Sequence, residues 1–131
     1  MHAGQRGSRA DLTRRTLAAV EHPSVRSISH PQGRIINHRP PNAVDLEALF
    51  AACIENGTAL ETNGLPDRID LSGELVREAI RAGARITCST DAHSVRGLQN
   101  MENSVHTARR GWCTAADVLN TRPLEEILRP R

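Results

Sequence analysis

The sequence predicts an α/β fold with a parallel sheet, and three observations carry that expectation. Short β-type runs at residues 25–29, 58–62 and 85–89 alternate with one-sided helical stripes. The connections between successive runs suit right-handed parallel crossovers. Each run also delivers a polar cluster at its C-terminal end, where parallel α/β folds assemble their sites.

The helices follow in order. Residues 1–10 are small, polar and basic and read as a disordered leader, and residues 11–131 as the structured part. A first helix over 11–21 turns Leu12, Leu17 and Val20 inward and stops before Pro23. Leu46, Leu49, Phe50, Cys53 and Ile54 form the stripe of a second helix over 45–56, with Gly57 placed to cap it. Ser72 is the expected N-cap of a third, which carries Leu75, Val76, Ala79 and Ile80 and closes at Gly83. Beyond His93 the pattern is helical through 95–110, 115–121 and 124–128.

Composition excludes several classes. The 131 residues make one domain but fall short of a full α/β barrel, which takes about 250. With 17 basic against 15 acidic residues there is no electrostatic case for non-specific DNA binding, so a nucleic-acid role requires a defined site. One Phe, one Trp and no Tyr argue against base-stacking platforms and against an aromatic-rich sandwich core. Cys53, Cys88 and Cys113 are odd in number and widely spaced, which fits reduced thiols in a cytoplasmic protein, and Cys88 reads as a buried packing residue. No apolar run approaches the roughly 20 residues of a membrane span, and neither a phosphate-binding glycine loop nor a GxSxG elbow is present.

The rim clusters are Ser29-His30-Pro31-Gln32-Gly33-Arg34, Glu61-Thr62-Asn63 and Thr90-Asp91-Ala92-His93. Neutral imidazole and carboxylate at neighbouring strand ends suit zinc or manganese. Asp91 and His93, two residues apart at the end of the third run, are expected to project together, because i and i+2 share a strand face. Each residue also has a purely structural reading. His30 before Pro31 suits a hydrogen-bonded turn, Asp91 a helix cap, and Glu61 and Asn63 a strand-end carboxylate and a turn amide.

Taken together, His30-Pro31-x-Gly33-Arg34, Ala59-Leu60-Glu61-x-Asn63, Pro66-x-Arg68-x-Asp70-Leu71, Thr90-Asp91-Ala92-His93-Ser94, Ala108-Arg109-Arg110-Gly111-Trp112 and Leu119-Asn120-Thr121 resemble the PHP (polymerase and histidinol phosphatase) domain. The likeness is strongest to the version at the C-terminus of bacterial family X DNA polymerases. Ser29, Thr62 and Ser104 depart from its usual glycine, isoleucine and glycine.

The resemblance implies a distorted seven-stranded βα (TIM-like) barrel, of which this chain is roughly the C-terminal half. It implies a cluster of up to three manganese or zinc ions that hydrolyses phosphate esters, with 3′-5′ exonuclease and DNA 3′-end processing activity in repair. Carried over by motif, His30, Asp91 and His93 are metal ligands, Asp91 and His93 catalytic, and Arg34 and Arg68 phosphate-facing. The family's opening His-x-His has no counterpart before Leu12, where only His2 stands, so an incomplete, weakly active site is expected. The substrate is then DNA or another phosphate ester. The alternatives are a non-enzymatic half-barrel that self-associates or has its open sheet edges covered by a partner, and a phosphatase of the histidinol-phosphate type.

Overall fold

A computed structural model describes residues 7–128. Helix α1 (Arg9–Glu21), strand β1 (Ser27–Ile28), α2 (Leu46–Glu55), β2 (Ala59–Asn63), α3 (Gly73–Ala82) and β3 (Ile86–Ser89) alternate along the chain. A 3-10 helix (Val95–Asn100) then runs into α4 (Met101–Arg110), and α5 (Leu124–Leu128) follows two short 3-10 turns. All strand pairs are parallel in the order β1-β2-β3, with Ile28 opposite Leu60 and Glu61 opposite Thr87. The fold is therefore mixed α/β around a small parallel sheet.

Local chemistry sets most boundaries. Ser8 caps α1 by accepting the Asp11 N–H, so the helix begins at Arg9, two residues inside the segment expected as a leader. Residues 1–6 of that segment lie outside the described residues. Asp45 caps α2 through the Ala48 N–H and also pairs with Arg9 at 2.8 Å, tying α1 to α2. Ser72 caps α3, and Gly83 ends it with φ of 105°, a conformation that glycine adopts without steric cost. Two expectations shrink: the 25–29 run pairs over two residues only, and the helical pattern of 95–110 divides into a 3-10 helix and α4.

Strand alternation sorts the sheet into two faces. Leu60 and Ile86 point into an aliphatic core with Val20, Leu49, Phe50, Cys53, Leu71, Val76 and Ala79. Glu61, Asn63 and Ser89 share the opposite, polar face. Cys88 is buried, as its packing role requires. Beyond β3, Val118 makes an isolated parallel bridge to Ile86, and the Asn120 amide bonds both backbone groups of Cys88, at 2.8 and 3.0 Å. The far edge of β3 is thereby closed without a fourth full strand.

Helix α4 lies against the sheet through Ser104, which is fully buried. Its hydroxyl donates to the Thr62 carbonyl at 2.5 Å and accepts from the Ser89 N–H at 3.2 Å, so it bridges β2 and β3. The Thr62 hydroxyl donates to the Leu71 carbonyl at 3.3 Å. Two of the three departures from the family pattern, Thr62 and Ser104, thus have partners inside the fold. Among the described residues no helix is long and apolar enough to cross a membrane.

The approach of α4 to the sheet depends on Gly64, where an added Cβ would lie 2.0 Å from the Asn100 carbonyl oxygen. Gly64→Ala should cost about 3 kcal/mol or more, because backbone rather than a side-chain tip must give way. Gly83→Ala meets open space and should cost only about 1 kcal/mol, from the left-handed backbone alone. Urea denaturation of the two variants checks the difference.

Candidate functional site

The C-terminal ends of β1, β2 and β3 lie side by side, and the Glu61 carboxylate joins them. One oxygen accepts the His30 backbone N–H and, at 3.2 Å, the Asn63 amide; the other accepts the Ser89 hydroxyl. Asn63 in turn accepts the Leu65 N–H at 2.9 Å and turns the chain away from β2. His30 sits in the left-handed region, with φ of 32°, immediately after β1. Burial holds its imidazole below the ordinary value, helped by the nearby Arg68 charge, and the neutral ring is the form that ligates metals.

Asp91 and His93 do not project from a common strand face. β3 ends at Ser89, and Asp91 adopts φ of 50°, so the two-residue strand repeat no longer applies. The His93 ring is exposed, and its Nδ1 lies 2.7 Å from the Asp91 carbonyl oxygen. That contact makes Nδ1 the protonated nitrogen and leaves Nε2 as the available lone pair. The Asp91 carboxylate lies 2.8 Å from Arg68 Nε, both side chains being largely buried. The N–H does not point along that line, and Asp91 Oδ2 has no hydrogen-bond donor.

Arg34 and Arg68 are committed within the protein. Arg34 Nε donates to the Arg68 carbonyl at 2.8 Å and a terminal nitrogen donates to the Ile69 carbonyl, bracing the loop before α3. Arg68 is 8% exposed.

Asp70 is the buried acid that sequence reasoning passed over except as a letter in a motif. It is fully buried and accepts the Gln32 and Gly33 N–H groups at 3.2 and 2.8 Å, which fixes the turn following His30. A signal was available: an aspartate between Ile69 and Leu71, both apolar, is placed for burial. Burial pushes its carboxyl up to about 6, against the two N–H bonds that favour the charged form. Cys88 and Cys113 are likewise raised by burial, Cys113 to about 11, so both are protonated thiols at neutral pH.

No group of three or more His, Cys, Asp or Glu side chains is placed to hold a metal among the described residues. His30, Asp91 and His93 supply suitable donor atoms, but the Asp91 carboxylate faces a guanidinium. The rim is a row of strand-end donors on a parallel sheet, at the end where parallel α/β folds place their sites.

No protein-family model matches the chain. The chain is 34% identical over 116 residues to the DNA polymerase/3′-5′ exonuclease PolX of Bacillus subtilis, a match that takes in 88% of this chain. It spans 19% of that protein's length.

The buried Asp70 predicts a pH signature. Between its unfolded value near 3.8 and its folded value of about 6, the folded state holds a proton that the unfolded state has lost. Stability should therefore fall as pH rises across that window, by on the order of 2 to 3 kcal/mol. Thermal melts in EDTA from pH 4 to pH 7 should show this component in the parent chain, and Asp70→Asn should remove it.

Proposed function

We propose that this chain is part of a phosphoesterase module of the PHP type, related to the 3′-5′ exonuclease of PolX-like DNA polymerases. The observation that carries the reading is the alignment of His30, Glu61 and Asp91 at three adjacent parallel strand ends, in a chain 34% identical to PolX over 116 residues. The consecutive β1-β2-β3 order, extended by the Val118 bridge, supports a sector of a βα barrel, since a doubly wound sheet reverses its strand order. DNA 3′ ends are the substrate this reading implies.

In this reading His30, Asp91 and His93 are donors toward a divalent manganese or zinc centre, which needs further donors beyond those the described residues bring together. Glu61 and Asp70 keep the rim in shape. Arg68 holds Asp91 in place, and Arg34 secures the loop that carries Arg68. Arg68 is buried and Arg34 is held by two backbone carbonyls, which gives them a positioning role ahead of direct phosphate contact.

A second reading, a non-enzymatic half-barrel completed by a partner chain or a second copy, is favoured by one feature. Among the described residues β1 pairs only with β2, which leaves its other edge without a strand.

Replacing the matching stretch of Bacillus subtilis PolX with residues 9–128 of this chain separates the two. The proposal predicts a chimera that removes nucleotides from DNA 3′ ends, with cleavage falling at least about 100-fold in Asp91→Asn and in His93→Ala. His93 is exposed, so its variant should melt at the parent temperature. A folded chimera that cleaves equally well with both substitutions would overturn the phosphoesterase reading.

A further inference from the structure

Trp112, the chain's one tryptophan, lies on the helical layer just past α4, with φ of 66°. Its position is set by the residue before it. A Cβ on Gly111 would lie 2.4 Å from Val76 Cγ1 and 2.9 Å from the Gly73 carbonyl oxygen, so only glycine permits α4 to end this close to α3. The same contact brings the indole over the Arg77 guanidinium of α3, 3.7 Å from Cζ to the ring centroid. Arg77 Nε is buried there with no acceptor, which leaves the ring face as what steadies the cation.

Trp112 is nevertheless 67% exposed. One face of the indole rests on Arg77, and most of the residue is open to solvent. Arg109 and Arg110, both exposed, immediately precede the Gly111 turn, and Arg81 is exposed one turn along α3 from Arg77. Among the described residues none of these four cations makes an ion pair with a carboxylate. Glu74 and Glu78 stand on the same helix without pairing to them. Arg110 also lines a groove of about 450 Å³ that it shares with Arg34, Ile36, Ser72 and the carboxylate-bearing Glu74.

A rigid aromatic face backed by a guanidinium and flanked by unpaired arginines matches single-stranded DNA, whose bases stack on rings while its phosphates meet cations. A low aromatic content excludes an array of such rings, not a single one. We infer that Trp112, Arg77, Arg109 and Arg110 form a contact surface for single-stranded DNA. One base lies on the free face of the indole, and the adjoining phosphates lie on Arg109 and Arg110. A duplex offers no free base face to the ring. The inference rests on the reading of the chain as part of a DNA-processing module and adds to it a binding surface on the helical layer.

The sole tryptophan makes the test direct. In EDTA at low salt, a short oligothymidylate added to the full chain should quench the indole emission saturably, and a duplex of equal length should not. By fluorescence anisotropy of labelled oligothymidylate, Trp112→Ala should weaken binding about 10-fold and Trp112→Phe should recover most of the loss. Arg109→Ala with Arg110→Ala, both on the surface, should reduce the slope of log affinity against log salt by about 1.4. Circular dichroism establishes that each variant is folded. Binding without an emission change, equal quenching by duplex, or no binding at all would each overturn the inference. Because the assay needs neither metal nor cleavage, its failure is distinct from failure of the phosphoesterase reading, which the chimera decides.

Discussion

The carboxylate of Glu61 is the interaction on which the rest of the rim depends. It is 6% exposed, and its oxygens accept a backbone N–H from the end of β1, an amide from its own strand and a hydroxyl from β3. A buried carboxylate is costly unless its lone pairs are met, and three donors from three strands meet them only when the strands are in register. The ion therefore acts as a register pin for a sheet whose first strand pairs over two residues. Asp70 extends the arrangement outward by holding the turn at Gln32 and Gly33. His30 and Asp91, both with positive φ, are kept in conformations that few side chains adopt by the bonds around them.

Much of this architecture was legible because it is written in short-range patterns. The stripe of α2, the caps at Asp45 and Ser72 and the glycine stop at Gly83 each depend on residues within one helical turn of the feature they define. The alternation of helix and strand was legible for the same reason. What was not legible depended on distant partners. The Asp91 and His93 pair, read as neighbours on one strand face, is separated by a left-handed turn that begins where β3 stops. Arg34 and Arg68, phosphate-facing by motif, meet carbonyls and a carboxylate that the motif does not reveal. Asp70 was missed as an anchor because its partners are more than thirty residues earlier.

The charge arrangement connects these observations to function. Asp91 meets a guanidinium rather than a cluster of donors, so within the described residues the rim is stabilised by ion pairing and hydrogen bonding. Similarity to PolX covers nearly all of this chain and 19% of that protein's length. The polar face carrying Glu61, Asn63 and Ser89 belongs to the sheet, whereas Trp112 and Arg77 belong to the helical layer.

The central claim, that one carboxylate pins three strand ends, is tested most directly by amide hydrogen exchange at His30. In the parent chain the His30 N–H should exchange slowly, and in Glu61→Ala it should lose that protection. The Leu71 N–H, which bonds the Glu61 backbone carbonyl at 3.0 Å, should stay protected in both and show that the fold persists. Unchanged protection at His30 in a folded Glu61→Ala chain would contradict the account.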